Sequence, residues 1–103
     1  MIVTIFRSRL MPDIAGDYMP VAERMSELAA TMPGYVFHKG FVAEDGERVT
    51  LVAFESVEAQ RAWAQHPEHR QAQKQGRERF YSEYHIQVCE LVRESKFNRT
   101  AQN

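Results

Sequence analysis

YVFHKGFVAEDGERVTLVAFE, residues 35–55, predicts a β-hairpin in the middle of the chain. The runs at 35–42 and 48–55 are rich in Val, Phe and Thr, which favour strands. Between them, Ala43-Glu44-Asp45-Gly46 contains an Asp-Gly pair, which is typical of a tight hairpin turn. These two strands stand in the middle of the chain, and the other predicted elements precede and follow them in the sequence.

One strand and one helix precede the hairpin. Residues 2–9 carry Val, Thr, Ile and Phe and predict a strand. The helix is marked by an apolar stripe at helical spacing, which consists of Val21, Met25, Leu28, Ala29 and Met32. It either begins at Pro20 or extends, kinked at that proline, from a cap at Asp13. Pro33-Gly34 ends it.

A broken helix and a last strand follow the hairpin. Ser56 is expected to cap a short helix that carries Trp63, and His66-Pro67 ends that helix. A second helix begins at Pro67, and its inner stripe consists of His69, Ala72, Gly76 and Phe80. We interpret the charged run at 70–79, which includes Lys74 and Arg77, as a solvated helix face. Residues 85–92 predict the last strand.

The order of these elements is β-α-β-β-α-β, the ferredoxin-like arrangement of the α+β class. Right-handed crossovers place the helices on one face of a four-stranded antiparallel sheet. The strands are nonetheless apolar on both faces, since Val49 and Leu51 alternate with Val52 and Phe54. A second apolar face needs cover that one chain of this size does not supply. The pattern therefore predicts a homodimer in which two sheets pack face to face.

Composition limits the class of protein. The chain has 103 residues, of which 44% are hydrophobic and 26% charged, a composition typical of one globular domain. We expect the domain at residues 1–93 and a polar, mobile tail at residues 94–103. Its 13 Lys and Arg against 14 Asp and Glu give a net charge of −1, which argues against nucleic acid or a membrane surface as a partner. There is one cysteine, Cys89, no apolar run long enough to span a membrane, and no signal-peptide pattern after Met1. We therefore expect a cytoplasmic protein.

This order of elements resembles the antibiotic biosynthesis monooxygenase domain over residues 1–93. The resemblance lies in Met32-Pro33-Gly34-Tyr35 after the first helix and in the Trp63 helix followed by His66-Pro67-Glu68-His69. It implies a dimeric α+β barrel, with two sheets packed face to face and a pocket in each protomer between sheet and helices. Some members oxygenate phenolic or quinol-type compounds with O₂ and need no metal or flavin. Others degrade haem, and many have no known activity.

The sequence departs from the haem-degrading members of that family. Those members use an Asn near the end of the first strand and a His after the Trp. Here the first strand ends in Arg7-Ser8-Arg9, and Gln73 stands ten residues beyond Trp63. Haem degradation is therefore disfavoured, although His69 lies one turn earlier on the same helical face and leaves a shifted ligand open.

The resemblance to the oxygenases implies a site with three parts. The substrate must become an electron-rich anion, so the protein supplies a base, a hydrogen-bond donor for the anion and a dry apolar pocket. His69 is the first candidate base, with His38 or His85 as second choices, and the candidate donors are Arg7, Arg9, Tyr81 and Tyr84. Of these, the predicted catalytic residues are His69, Tyr84 and Arg7. The predicted substrate-binding residues are Trp63, His66, Phe37, Phe54, Phe80 and His38.

Most of these residues also have a purely structural interpretation. Trp63 is expected to anchor the core, His66 to stand at a helix N-cap, and Arg7 to form a salt bridge at the sheet rim. His69 is either a base or a satisfied, partly buried histidine. His66 and His69 lack a third ligand, so no metal site is predicted.

The resulting hypothesis is a cofactor-independent monooxygenase that acts with O₂ on a small aromatic, phenolic or quinol-type compound. The alternative is a non-catalytic dimer of the same fold that binds or senses a small ligand. Cofactorless decarboxylation or isomerisation in the same pocket is a third hypothesis.

Overall fold

The computed structural model describes residues 1–100 and shows an α+β fold. Its elements, in chain order, are β1 (Ile2–Leu10), α1 (Ala15–Ala29), β2 (Tyr35–Val42), β3 (Arg48–Phe54), α2 (Val57–Ala64), α3 (Pro67–Gln75), a π-helical segment (Gly76–Phe80) and β4 (Tyr81–Glu90). The predicted β-α-β-β-α-β order, with its second helix broken in two, is confirmed. Among residues 1–100, no helix is both long and apolar enough to cross a membrane.

The four strands form one antiparallel sheet in the order β2-β3-β1-β4. The predicted hairpin joins β2 to β3 through a turn in which Gly46 has a φ of 90°, a conformation that glycine adopts without strain. The helices pack against one face of this sheet, where Val52 and Phe54 of β3 meet Ala29 of α1 and Trp63 of α2 in the buried core.

The start of α1 differs from the prediction. The helix begins at Ala15, and Pro20 lies inside it, so the longer of the two predicted helices is present. Asp13 does not cap it, because its backbone has a φ of 60° in the turn before the helix, and Ile14 occupies the N-cap without a side-chain hydrogen bond. The predicted cap of α2 is present, since Ser56 Oγ accepts a hydrogen bond of 3.1 Å from the amide of Ala59.

The last strand begins four residues earlier than predicted, at Tyr81 instead of His85. β4 pairs with β1 from Tyr81, opposite Leu10, to Glu90, opposite Ile2. The length of β1 therefore sets where β4 begins and ends. Residues 91–98 lie in no helix or strand, and residues 101–103 of the predicted tail lie outside the described residues. The mobility of that tail stays a prediction.

The sheet face opposite the helices is apolar at its centre, and we call it the open face. Val3 and Phe37 both pair with Ala53, and Ile5 pairs with Leu51, so these side chains share that face. Phe37 is exposed, while Val3, Ile5 and Leu51 are only partly buried. The apolar second face that the sequence predicted is therefore present.

Candidate functional site

A cavity of about 300 Å³ lies between the helix-covered face of the sheet and the three helices. Its volume is at the lower end of the range for pockets that bind small molecules. Its apolar and aromatic lining includes Phe6, Tyr18, Val21, Ala22, Met25, Val52, Trp63, Ala64, Ala72, Phe80, Tyr81, Tyr84 and Ile86. Its other lining residues are Thr4, His38, Thr50, Gln60, His69, Gln73 and Arg77. The cavity therefore presents a few polar groups on a mostly aromatic wall.

The corner between α2 and α3 positions His69. His66 is the N-cap of α3, because its Nδ1 accepts a hydrogen bond of 3.1 Å from the amide of Glu68. Pro67 follows at the first helical position. Side chains of α3 bind the last carbonyls of α2, of which that of Trp63 also accepts a hydrogen bond from the amide of His66 at 3.1 Å. His69 Nδ1 lies 2.9 Å from the carbonyl oxygen of Trp63, and Gln73 Nε2 donates to the carbonyl of Ala64 at 3.2 Å.

These contacts fix the chemical form of His69. A carbonyl oxygen only accepts, so Nδ1 carries the proton and Nε2, on the opposite edge of the ring, keeps its lone pair. The imidazole stacks on the indole of Trp63, with ring centroids 4.0 Å apart and an interplanar angle of 13°. Burial lowers the pKa of His69, which favours the neutral ring at pH 7. An oriented, neutral imidazole with a free Nε2 has the properties of a general base.

His38 reaches the cavity from β2. Its Nδ1 lies 3.3 Å from Ser26 Oγ on α1, and burial lowers the pKa of this imidazole too. His85, the other second choice for a base, is exposed and pairs with Arg7 on the side of the sheet away from the cavity. His38 is therefore the second imidazole of the site.

Phenol rings line the end of the cavity near β4. The ring of Tyr81 lies 5.3 Å from that of Phe6 and 5.8 Å from those of Tyr18 and Tyr84. Burial raises the pKa of Tyr81, so its hydroxyl stays protonated and able to donate a hydrogen bond at any physiological pH. Gly76 permits this packing, because a Cβ atom there would lie 2.5 Å from the ring of Tyr81.

Arg7 does not line the cavity, contrary to the prediction. It follows Phe6, which faces the cavity, and alternation along the strand turns its side chain to the other face of the sheet. There it donates two hydrogen bonds of 3.1 Å to the carboxylate of Glu47. Arg9 lies on the same side and binds Asp45 and Glu83 at 2.8 and 3.1 Å. Both arginines occupy the rim ion pairs of the structural interpretation.

Three of the predicted substrate-binding residues also lie outside the cavity. Phe37 lies on the open face, Phe54 is fully buried in the core, and His66 serves as the cap of α3. The other three, Trp63, Phe80 and His38, do line the cavity, as do the predicted catalytic residues His69 and Tyr84. The structure therefore brings together five of the predicted residues from four separate elements and the π-helical segment.

An ion pair holds the outer wall of the cavity between α1 and α3. Arg24 Nε and Nη2 donate to the carboxylate of Glu68 at 2.7 and 3.1 Å, and this pair lies over Met25 and Ala72, which line the cavity from the inside. The carboxylate beside Arg24 has a lowered pKa, so the pair stays charged at neutral pH. No group of three or more His, Cys, Asp or Glu among residues 1–100 is arranged to hold a metal ion.

The sequence profile of the family described as "Antibiotic biosynthesis monooxygenase" matches residues 1–75. The chain belongs to the antibiotic biosynthesis monooxygenase family. The uncharacterized protein YqjZ of Bacillus subtilis is 34% identical over 80 residues, which span 78% of this chain and 70% of that protein. The resemblance inferred from the Trp63 region and the Pro33-Gly34 stop is therefore confirmed.

Solved structures share the fold of this family member at low sequence identity. Rv0793 from Mycobacterium tuberculosis superposes with a TM-score of 0.82 over 92% of this chain and 98% of its own, at 18% identity. A mutant of SnoaB from Streptomyces nogalater, a cofactor-independent oxygenase, superposes with a TM-score of 0.78 over 90% of this chain and 94% of its own, at 15% identity. At these identities the comparison shows the ferredoxin-like fold.

In this family member, the prediction missed several polar groups of the cavity. Gln73 and Arg77 follow His69 at intervals of four residues, which places all three on one helical face. That spacing is visible in the sequence, but Arg77 was assigned to the solvated face of a charged run. Arg77 is exposed, as the solvated-face interpretation predicts, and it also lies at the rim of the cavity. Gln60, Thr4 and Thr50 carry no comparable signal.

Proposed function

We propose that this protein is a cofactor-independent monooxygenase that uses O₂ to oxygenate a small aromatic, phenolic or quinol-type compound. The observation that carries the proposal is His69, a neutral imidazole oriented by a backbone carbonyl and stacked on Trp63 in an aromatic cavity. Family membership and the shared fold of an oxygenase that needs no cofactor support the choice of reaction. The aromatic wall supports the choice of substrate.

The first step is removal of the phenolic proton by Nε2 of His69. The resulting phenolate is electron-rich and reduces O₂ directly, so the substrate supplies the electrons that a metal or flavin would otherwise provide. A C–O bond forms between one oxygen atom and a ring carbon that carries hydrogen, and loss of that ring proton then breaks the O–O bond. The second oxygen leaves as water with the ring proton and the phenolic proton that His69 had accepted, and the phenol becomes a quinone. Each atom of the O₂ molecule is thereby accounted for.

The cavity also contains groups suited to the anion. The hydroxyl of Tyr81 stays protonated and donates to a developing oxyanion, and Tyr84 lies 5.8 Å away, ring to ring. Trp63 and Phe80 in the wall of the cavity are buried, and an apolar wall of this kind strengthens such hydrogen bonds. The base comes from α3 and the donors come from β4, and all of them line the same cavity of about 300 Å³.

Oxygen consumption tests this function. In metal-free buffer, we expect a panel of phenols and quinols to include compounds whose addition starts O₂ uptake with one product quinone per O₂. The uptake should persist with chelators present, because none of the proposed steps uses a metal. A panel that binds measurably without any O₂ uptake would contradict the monooxygenase and favour the alternative, a ligand-binding or sensing dimer.

We further propose that the protein acts as a homodimer formed through the open face. Ile5 and Leu51 lie opposite each other at the centre of that face, flanked by the exposed rings of Phe37 and Phe41. Burial of such a row is favourable by about 25 cal/mol for each Å² of apolar surface. The exposed free Cys89 agrees with a reducing compartment, and we propose the cytoplasm.

Sedimentation at micromolar concentration tests the dimer. We expect a particle of twice the 12.0 kDa mass of one chain. Ile5→Glu should yield single chains, because it places a charge in the proposed interface. Val57→Glu, an equivalent change at an exposed helix position away from the open face, should leave the dimer intact. A wild-type particle of one chain would exclude this assembly.

A further inference from the structure

The lining of the cavity differs in charge from its outer wall, where the Arg24–Glu68 ion pair lies. No Asp or Glu lines the cavity, although the chain contains 14 of them. Its only permanently charged side chain is Arg77, since burial lowers the pKa of both His38 and His69 and favours their neutral forms. A cavity with one cation and no anion in its wall attracts an anionic ligand.

Arg77 is also without an internal counter-ion. Among residues 1–100, it forms no ion pair within 4.0 Å, and its neighbours are engaged elsewhere. Glu78 pairs with Lys74 at 3.9 Å, and Arg79 donates to Asp17 at 2.9 Å. Arg7, Arg9 and Arg24 each have a carboxylate partner as well. The guanidinium of Arg77 is therefore available at the rim of the cavity.

The position of Arg77 relative to His69 defines what such a ligand would look like. The two residues are eight positions apart on one helical face, which corresponds to about 12 Å along the axis of a regular helix. Gln73 lies between them, with its amide fixed on the carbonyl of Ala64. A ligand that reached both ends would be elongated, with its acid group at the rim and its other end at the imidazole.

We propose that Arg77 binds the carboxylate of the substrate, which makes the substrate class an elongated phenolic acid. This inference rests on the proposed function for the role of the phenol, which is placed at His69. The guanidinium provides two parallel N–H donors that match the geometry of a carboxylate. Arg77 is then a specificity-determining residue that selects acids over neutral phenols of the same shape.

Calorimetric binding of two matched probes tests the proposal without turnover. The probes are para-hydroxycinnamate and its uncharged amide, para-hydroxycinnamamide, titrated into the full-length protein in the absence of O₂. We expect the wild type to bind the acid about tenfold more tightly than the amide, since a hydrogen bond to a charged group is stronger than one to a neutral group and solvent at the rim weakens it only in part. The preference should shrink as salt is added.

Two variants assign the preference to one residue. Arg77→Gln should abolish the preference for the acid, because it weakens binding of the acid alone. Unchanged binding of the amide and an unchanged circular dichroism spectrum would show that the cavity is intact. Arg70→Gln removes an exposed arginine of α3 that does not line the cavity, and it should keep the wild-type preference. Equal affinities for the two probes, no binding of either, or an equal loss in both variants would overturn the proposal.

The outcome is separable from that of the proposed function. A preference for the acid that depends on Arg77, together with a failure of every phenol to consume O₂, would retain the anion site and remove the monooxygenase. O₂ uptake with neutral phenols, without tighter binding of the acid, would retain the monooxygenase and remove the anion site at Arg77.

Discussion

Replacement of His69 by Ala is expected to lower kcat/KM for O₂-dependent turnover by about 100- to 10,000-fold, the usual contribution of a positioned general base. The substrate anion is the species that reduces O₂, and without Nε2 of His69 nothing at that position accepts its proton. Initial rates of O₂ uptake measured with an oxygen electrode give the effect. His66→Asn is the matched control, because Asn also caps helices and His66 does not line the cavity.

The pH profile separates a base from a residue that only supports the cavity wall. Burial lowers the pKa of His69, so the neutral form that accepts a proton is already dominant at pH 7. The wild-type rate should therefore be maintained near neutrality and fall as the pH drops through a pKa below 6.5, the ordinary value for histidine. That acid limb should be absent from His69→Ala and present in His66→Asn. A variant that lacks the imidazole but keeps both the rate and the acid limb would remove His69 from the mechanism.

The sequence predicted those features of the fold that depend on neighbouring residues. The Asp45-Gly46 turn, the Ser56 cap and the break at Pro67 each follow from a few adjacent side chains, and all three are present. The spacing of apolar residues also predicted that His69 lies on the inner face of its helix, and the side chain does line the cavity. What the spacing does not reveal is the partner of its Nδ1, which is a backbone carbonyl at the end of a different helix.

The errors concern pairing between distant parts of the chain. Arg7 was assigned to the site, but its side chain pairs with Glu47, which lies 40 residues away, on the face of the sheet opposite the cavity. Arg77 is exposed as predicted, but its place at the cavity rim depends on which helical face meets the sheet. The early start of β4 depends on Leu10, its partner in β1. The π-helical segment at Gly76–Phe80 has no periodic signature in the sequence.

Trp63 joins the stability of the fold to the chemistry of His69. Its side chain is 5% exposed and packs in the core with Phe54 and Ala29, so Trp63→Ala should lower the free energy of unfolding by about 3–5 kcal/mol. Such a loss is a large fraction of the stability of a small domain, so Trp63→Phe serves as the milder variant. Denaturant titrations followed by far-ultraviolet circular dichroism measure both, since Trp63 is the only tryptophan and its fluorescence disappears.

The same substitutions should change the titration of His69. Burial is the main cause of its lowered pKa, and the stacked indole supplies much of that burial, so a smaller side chain admits water and moves the pKa of His69 up towards 6.5. The hydrogen bond from Nδ1 goes to the backbone of residue 63 and survives the exchange, which leaves the tautomer unchanged. Proton NMR titration of the imidazole in Trp63→Phe measures the shift. A stability loss without any change in the pKa of His69 would mean that the indole supports the core alone, and that the low pKa of the base arises from the rest of the cavity.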